Sequence, residues 1–274
     1  MTTAGEWQPA QYARFSDERT RPFFDLAALV ERRPGMRVVD LGSGPGNLTA
    51  WLHDALGAAA TLGVDSSDAM LAEAAAHASA DVRFARADIV DFARERAAAG
   101  ATFDLVFSNA ALQWIDDHAL LLPAVAALVG PQGQLAIQMP ANDDHASHRV
   151  ARALARSERF AGPLGGYVRP DPVQRPAWYA ERLHALGFPR QRVQLVVYPH
   201  VLPDTRAVVE WVKGSLLTAY RRRLDPDGYA QFLAAYEQAL LAELGTNAPY
   251  FYAFDRVLLW ASRAPGPNGA SAGG

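Results

Sequence analysis

The sequence has no cysteine, no apolar run of membrane-spanning length and no excess of positive charge. Without cysteine, disulfides and thiolate nucleophiles are excluded, and the chain fits a reducing compartment, so we expect a cytoplasmic protein. The most apolar run, ALLLPAVAALVG, is much shorter than the about 20 residues of a membrane helix, and we expect neither a membrane span nor a signal peptide. With a formal net charge of -3, the protein has no overall positive charge that would attract nucleic acid or an anionic membrane.

Half of the 274 residues are hydrophobic, which is enough to bury one sizeable core. Short apolar runs alternate with longer stretches rich in Ala, Leu and Glu, a pattern typical of a parallel sheet covered by helices on both faces. The runs cover 36–41, 61–65, 82–88, 103–109, 133–139, 192–201 and 250–262. We therefore expect an α/β fold: a doubly wound, Rossmann-like sheet of seven mostly parallel strands, with an insertion after the fifth strand. The stretch 67–78 is predicted to be a helix capped by Ser67 or Asp68.

The expected organisation is a single domain over residues 1–263. Its amino-terminal segment, 1–35, is predicted to be a helical cover. Residues 141–190 are predicted to be an insertion on the substrate side of the sheet, because many Arg, Asp, Gly and Pro residues interrupt the alternation there. The tail 264–274, APGPNGASAGG, has too few apolar side chains to pack and is expected to be disordered. The oligomeric state does not follow from the sequence, and we favour a monomer.

The stretch VVDLGSGPGN, residues 38–47, places three glycines between a strand and a helix. Glycines there let the backbone turn tightly and bring a ligand close to a helix N-terminus, although a plain strand-to-helix turn needs them as well. The nicotinamide fingerprint G-x-G-x-x-G requires a third glycine at position 47, where this chain has Asn47. The third glycine is Gly46 instead, so the spacing does not match the nicotinamide fingerprint.

Acids end the first three predicted strands: Asp40, Asp65 and Asp88. Ligands of open α/β sheets bind at the carboxyl ends of the strands. A carboxylate at Asp65 can accept hydrogen bonds from both hydroxyls of a ribose. Each acid alone would also suit a helix cap or a surface charge, but three in succession indicate a nucleoside-containing cofactor.

Several segments together resemble one family, the trans-aconitate 2-methyltransferases, which are class I S-adenosylmethionine-dependent methyltransferases. They are WQPAQYARFSDERTRPFFDL, DLGSGPGNLTAWL, GVDSSDAMLAEA, FSNAALQWIDDH and GQLAIQMPAN, and the likeness extends from about residue 6 to 263. The resemblance implies an O-methyltransferase that esterifies a carboxylate of a small polycarboxylic acid, trans-aconitate first. It also implies that S-adenosylmethionine is the cofactor. The implied cofactor residues are Asp40, Gly42, Gly44, Gly46, Asn47, Asp65, Ser66, Met70, Asp88, Ile89, Asn109 and Trp114.

A polycarboxylate substrate requires fixed cations, and arginine suits this task because its planar fork binds a carboxylate through two hydrogen bonds. The candidate substrate residues are Tyr12, Arg19, His148, Arg152, Tyr179, Trp211, Arg221 and Arg222. Arg149, Arg156 and Arg159 share a helical spacing with Arg152, but a solvated helix face is the commoner explanation for such a stripe. The chain has Thr218 and Ala219 where the family pattern has an Arg-Pro pair, so that contact is either missing or supplied by Arg221 or Arg222.

The segment DDHASH, residues 143–148, brings together potential metal ligands. We favour a helix cap at Asp144 instead and expect no metal. We also expect no catalytic base, because an ionised carboxylate is already a nucleophile. Two alternatives stay open: a methyltransferase for another small-molecule or carrier-bound acceptor, with His148 as the base if that acceptor is a hydroxyl, and a non-catalytic cofactor-binding protein.

Overall fold

A computed structural model describes residues 20–264. The strands are β1 Arg37–Leu41, β2 Ala60–Asp65, β3 Val82–Arg86, β4 Phe103–Asn109, β5 Val129–Pro140, β6 Arg190–Leu202 and β7 Tyr250–Ser262. The helices are α1 Arg21–Ala27, α2 Asn47–Leu56, α3 Asp68–Ala74, α4 Ile89–Ala98, α5 His118–Ala127, α6 Ala146–Arg156, α7 Glu158–Ala161, α8 Pro176–Ala185, α9 Ala207–Lys213, α10 Thr218–Arg221 and α11 Pro226–Leu244. Short 3₁₀ turns occur at Ala75–His77 and Leu112–Trp114.

The seven strands form one sheet in the order β3-β2-β1-β4-β5-β7-β6. The pairs β1–β2, β2–β3, β1–β4 and β4–β5 are parallel, so the carboxyl ends of these five strands share one edge. The prediction of an α/β fold with a seven-stranded, mostly parallel sheet is confirmed.

β5 is the strand whose start differs most from the prediction. It begins at Val129 and not at 133, because Val129 pairs with Phe103 and the register then shifts before Leu105 pairs with Gln134. The intervening GPQG looks like a turn in the sequence, and only the pairing with β4 shows that the strand continues through it.

The chain divides into two compact units, where the sequence predicted one domain with an insertion. Within the described residues, the first unit contains 20–139, Gln174–Gln194 and 257–264. The second unit contains Pro140–Val173 and Leu195–Arg256. The predicted insertion 141–190 is therefore shared: its first part lies in the second unit, while α8 lies in the first.

Aromatic rings form much of the core of the first unit. Phe23 and Phe24 on α1 are almost fully buried, and α1 begins with a proline in its first turn, where the missing N–H costs no hydrogen bond. The Phe23 ring packs edge-on against Phe107 of β4 at 5.2 Å, and Phe24 against Trp51 of α2 at 4.8 Å. Burying each phenylalanine contributes about 1.5–3 kcal/mol, so these contacts hold α1 on the sheet.

The second unit has its own core, formed largely by α6 and α11. Phe232, Tyr236 and Leu240 on α11 are fully buried and lie four residues apart, so they form one apolar stripe. Asp225 caps this helix, because its Oδ1 accepts a hydrogen bond from the Gly228 N–H at 2.6 Å.

Within residues 20–264, no helix is both long and apolar enough to cross a membrane.

Candidate active site

The loop after β1 in the first unit is built from left-handed glycines. Gly42, Gly44 and Gly46 have φ values of 81°, 56° and 80°. The backbone N–H groups of Gly42 and Ser43 both donate to the carbonyl of Val64 on β2, at 2.7 and 3.0 Å. The loop is thus fixed at the carboxyl ends of β1 and β2.

Two of these glycines are required for different reasons. A Cβ on Gly42 would lie 2.2 Å from the Cβ of Ala111, so the loops after β1 and β4 touch only because position 42 has no side chain. A Cβ on Gly44 would meet nothing within 4 Å. Open space therefore lies beside the half-buried backbone of Gly44, where a ligand can approach closely.

Asp65, at the end of β2, is hydrogen-bonded to this loop. Its Oδ2 accepts from the N–H of Gly44 at 2.9 Å, and its Oδ1 accepts from the N–H of Ser67 at 2.8 Å. A carboxylate has about four acceptor positions, so Asp65 keeps capacity for ligand hydroxyls after making both bonds. Ser67 caps α3, as one of the two predicted alternatives had it.

Asp40, at the end of β1, is buried beneath the loop and only 3% exposed. Its Oδ2 accepts a hydrogen bond from the hydroxyl of Thr49 at 2.6 Å. Burial raises the pKa of Asp40 to about 6; the bond from Thr49 opposes the rise and the nearby charge of Asp65 adds to it. A cation near this carboxyl would favour its ionised form.

Asp88 caps α4. Its Oδ1 accepts from the N–H groups of Val90 and Asp91 at 2.8 and 3.2 Å. The helix-cap role that the sequence left open is thus present, and it uses one of the two carboxylate oxygens. Ile89 follows, and its Cδ1 lies 3.8 Å from the position that a Cβ on Gly42 would occupy, which brings the start of α4 to the glycine loop.

The remaining predicted cofactor residues lie at the ends of nearby elements of the same unit. Asn47 begins α2 and Ser66 is exposed just before α3. Met70 on α3 is 41% exposed, and Trp114, in the turn after β4, is 53% exposed. These exposed side chains are accessible to a ligand.

The chain turns sharply after Asn109, at the end of β4. Ala110 has a left-handed φ of 52°, and its N–H donates to the carbonyl of Gln138 on β5 at 2.9 Å. The amide of Gln113 donates to the carbonyl of Ala110 at 2.7 Å. The Oδ1 of Asn109 is buried and has no hydrogen-bond partner among the described residues, as is also true of Ser43 Oγ in the glycine loop. No pattern in the sequence indicates a role for Ser43, Gln113 or Gln138.

The second unit contains a compact group of charged side chains that we call the Asp143 cluster: Asp143, His148, Arg152, Arg169 and Asp171. Arg152 donates to the backbone carbonyl of Asp143 at 2.7 Å and to its Oδ1 at 3.4 Å, and Arg169 donates to the same Oδ1 at 3.2 Å. His148 Nε2 lies 4.0 Å from that oxygen. The predicted pair His148 and Arg152 is thus brought together, and Arg169 and Asp171 join it unpredicted.

The charge of the Asp143 cluster follows from its burial. Burial lowers the pKa of His148 to about 4 against the opposing effect of Asp143, so the imidazole is neutral at neutral pH. Burial and a hydrogen bond with Asp143 raise the pKa of Asp171, which favours its protonated form. The guanidiniums of Arg152 and Arg169 both face the carboxylate of Asp143, and planar donor groups of this kind also suit an anionic ligand.

The predicted helix cap in the segment 143–148 differs from the structure. The predicted cap at Asp144 is wrong: α6 begins at Ala146, and the Nδ1 of His145 accepts the N–H of Ser147 at 3.1 Å. In the part of the chain that the structure describes, no group of three or more His, Cys, Asp or Glu side chains is arranged to hold a metal ion.

The other predicted substrate residues are dispersed. Tyr179 belongs to the first unit and is 1% exposed; its hydroxyl bonds to His118 Nδ1 at 2.5 Å and accepts from the Gln174 N–H at 3.1 Å. Because its ring and hydroxyl are already engaged, we leave Tyr179 out of the proposed site.

In the second unit, Trp211 packs against the ring of His200 at 4.7 Å, and Arg221 and Arg222 are exposed. Thr218 donates its hydroxyl to the carbonyl of Ser215 at 2.5 Å, at the start of α10. Tyr12 and Arg19 lie outside the described residues.

Comparisons with known proteins agree on one kind of enzyme. A family described as a methyltransferase domain matches residues 12–188. A trans-aconitate 2-methyltransferase from Deinococcus radiodurans is 44% identical over 263 residues, covering 94% of this chain and 98% of that protein. The enzyme of the same name from Variovorax paradoxus is 38% identical over 260 residues and covers 94% and 98%.

Solved structures share the fold at low sequence identity. The YcgJ protein from Bacillus subtilis matches with a TM-score of 0.56 at 16% identity, over 89% of this chain and 99% of that chain. Phosphoethanolamine N-methyltransferase 2 from Haemonchus contortus, solved with S-adenosyl-L-methionine, matches with a TM-score of 0.52 at 18% identity, over 90% of this chain and 53% of that chain.

Proposed function

The chain belongs to the trans-aconitate 2-methyltransferase family, and from that premise we propose that it transfers the methyl group of S-adenosylmethionine to a carboxylate of a small polycarboxylic acid, trans-aconitate first. The observation that supports this most directly is the open, left-handed Gly44 beside the carboxylate of Asp65. A nucleoside ligand needs both features at the carboxyl edge of the sheet: close approach to backbone and a fixed acceptor for ribose hydroxyls.

The first unit fits this cofactor by several independent features. Gly44 gives space, Asp65 keeps acceptor positions, and Asp88 has a second carboxylate oxygen beyond the one that caps α4. The raised pKa of Asp40 means that a neighbouring cation would stabilise its ionised form, and S-adenosylmethionine carries a sulfonium and an ammonium. When bound, S-adenosylmethionine supplies an electrophilic methyl group whose bond to sulfur breaks with the electron pair remaining on sulfur.

The residues of the chain then have to bind the acid substrate, orient it towards the cofactor and exclude water. A carboxylate has a reference pKa of about 4 and is ionised at neutral pH, so no side chain must remove its proton. Alignment of the acid oxygen with the methyl group and partial exclusion of water supply the acceleration. We therefore assign no catalytic base.

The Asp143 cluster is our proposed binding site for a carboxylate of the acid. Arg152 and Arg169 present planar donor groups, and Asp143 holds both guanidiniums in place. A methyltransferase for a hydroxyl acceptor is the second candidate. It would need a base, and His148, with its pKa lowered to about 4, is poorly suited to that task at neutral pH.

Methyl-transfer assays with a panel of di- and tricarboxylates test the function, with calorimetry of S-adenosylmethionine binding in parallel. We expect binding of the cofactor and formation of a methyl ester with trans-aconitate among the best substrates. No ester with any acid in the panel would contradict the proposal, as would binding of a nicotinamide cofactor in place of S-adenosylmethionine.

Arg152→Ala and Arg169→Ala test the substrate site. Each should raise KM for the acid about tenfold or more while cofactor affinity stays unchanged, because a lost ion pair of this kind removes binding to substrate and transition state alike. Arg156→Ala, on the exposed part of α6, is the matched control and should leave KM unaltered. Wild-type KM values in both test variants would remove the Asp143 cluster from the site.

A further inference from the structure

β5 contains two buried glutamines whose surroundings differ completely. Gln134 and Gln138 lie four residues apart on one strand, so their side chains are on the same face of the sheet. Gln134 Oε1 accepts from the Glu31 N–H at 2.8 Å and from Trp260 Nε1 at 2.9 Å, and its Nε2 donates to the Glu31 carbonyl at 2.7 Å. Gln138 is 0% exposed, and within residues 20–264 neither its Oε1 nor its Nε2 has a hydrogen-bond partner.

An amide in the position of Gln138 destabilises the protein unless a ligand forms hydrogen bonds with it. Both of its polar atoms give up water on folding and gain nothing in return, and buried polar groups without partners are uncommon in native proteins. A leucine of similar size would avoid this cost. The amide is therefore better explained by what it contacts in the liganded protein than by the fold.

The neighbours of Gln138 show where such a ligand would lie. Asn109 is its paired residue on β4, and the buried Oδ1 of Asn109 also has no partner. Gln113 adds another buried amide oxygen without a partner, close to the Ala110 turn. These three amides, which we call the amide cluster, lie at the carboxyl ends of β4 and β5, where open α/β sheets bind ligands.

We propose that Gln138 positions the reacting carboxylate of the acid substrate by donating hydrogen bonds from Nε2, beside the cofactor end held at Asn109. The inference rests on the proposed function and names a contact in the first unit that is separate from the Asp143 cluster. Asn109 is an expected cofactor residue, so a group bound by the paired Gln138 is adjacent to that cofactor.

The chemistry of the amide cluster suits the carboxylate that reacts, and it suits the other carboxylates of the acid less well. A guanidinium forms charge-assisted bonds roughly twice as strong as neutral ones and would hold electron density on the attacking oxygen. A neutral amide orients the oxygen while leaving it nucleophilic, and its burial keeps water away from the reaction. Arginines are better placed on the carboxylates that do not react.

Gln138→Leu and Gln138→Glu test the proposal, with Gln134→Leu as the matched control on the same strand and face. Gln138→Leu should raise the melting temperature by about 2–4 °C, because it removes an unsatisfied amide. It should lower kcat/KM for the acid at least tenfold and leave the calorimetric Kd of S-adenosylmethionine unchanged. Gln138→Glu should lower kcat/KM further, because its carboxylate repels the substrate.

Gln134→Leu should do the opposite: a lower melting temperature, since Trp260 and the Glu31 backbone lose their partners, with the wild-type kcat/KM per folded enzyme. Wild-type kcat/KM in Gln138→Leu would overturn the inference. So would a weakened cofactor Kd in Gln138→Leu or a tightened one in Gln138→Glu, because either result would make the amide a cofactor contact. If wild-type enzyme esterifies no polycarboxylate, the proposed function itself fails, and that result is distinct from these.

Discussion

Asp65 has two tasks at the scale of a single residue: it holds the glycine loop through Gly44, and we propose that it binds the cofactor ribose. Asp65→Ala should therefore weaken S-adenosylmethionine binding by about 1.5–3 kcal/mol, the range for hydrogen bonds to a charged group. Isothermal titration calorimetry measures it directly. Asp54→Ala, an exposed aspartate on α2, should bind as wild type does. Equal affinity in the two variants would exclude Asp65 from the cofactor site.

His148 gives the second prediction at this scale, because its pKa separates the two acceptor classes. With its pKa lowered to about 4 by burial, His148 is unprotonated at neutral pH. It should therefore cause no inflection near neutrality in the pH profile of kcat. If chemistry limits turnover, kcat should be nearly flat from about pH 6.5 to 8.5 and fall only toward acid, where the substrate takes up protons.

The measurement is kcat against pH for the best acid in the panel, in wild type and in His148→Asn. Both profiles should have the same shape. A rise of about tenfold across neutrality that the variant loses would establish general-base catalysis and favour the hydroxyl acceptor.

At the scale of secondary-structure elements, the loops after β1 and β4 depend on each other through Gly42 and Ala111. A methyl group on Gly42 would collide with Ala111 and would also strain a backbone whose φ is 81°. Gly42→Ala should destabilise the protein, and Ala111→Gly should remove the collision but not the strain. The double variant should thus recover part of the lost stability and remain about 1–2 kcal/mol below Ala111→Gly alone, the cost of the left-handed backbone.

Urea denaturation of the wild type, both single variants and the double variant gives the coupling between the two positions. Additive effects would show that the two loops accommodate the methyl group by moving apart. In that case the contact would not fix their spacing.

Many of the strands, helices and loops could be predicted from the sequence. All seven strands were found from short apolar runs, and the helix at 67–78 began at its predicted cap because Ser67 precedes a helical apolar pattern. The strand ends also led to Asp65 and the glycine loop, since parallel strands bring their carboxyl ends to one edge. A local sequence pattern is sufficient to predict an element whose structure is determined by the periodicity of its own residues.

Other features depend on partners far along the chain, and the sequence did not reveal them. Gln134 and Gln138 are indistinguishable by pattern, and only the distant Glu31 and Trp260 make one of them structural. Arg169 lies in an irregular stretch without periodicity, so nothing indicated that it meets Asp143. The cap of α6 was misplaced because a histidine, a less usual capping residue, supplies the acceptor.

For the whole molecule, Asp40 links stability to pH. Its folded pKa of about 6 lies above its unfolded value, so its contribution is fully present below about pH 4 and is lost as pH rises through 6. Asp40→Asn keeps an oxygen for the Thr49 hydroxyl and removes the buried charge. The variant should exceed wild type in unfolding free energy by up to about 3 kcal/mol above pH 7, with little difference near pH 4.

Urea denaturation at several pH values checks this, with the exposed Asp54→Asn as the comparison. A stability difference between Asp40→Asn and wild type that does not change with pH would show that folding leaves the pKa of Asp40 unshifted. Bound S-adenosylmethionine should reduce the difference, since its positive charge stabilises the ionised form of Asp40.

The division of the chain into units has a consequence for dissection with proteases and for gene truncation. The backbone passes from one unit to the other four times, between 139 and 140, 173 and 174, 194 and 195, and 256 and 257. No single cut therefore releases either unit, and no uninterrupted stretch of the gene encodes the first one. A nicked protein should run as two fragments under denaturing conditions and still elute as one species from a sizing column.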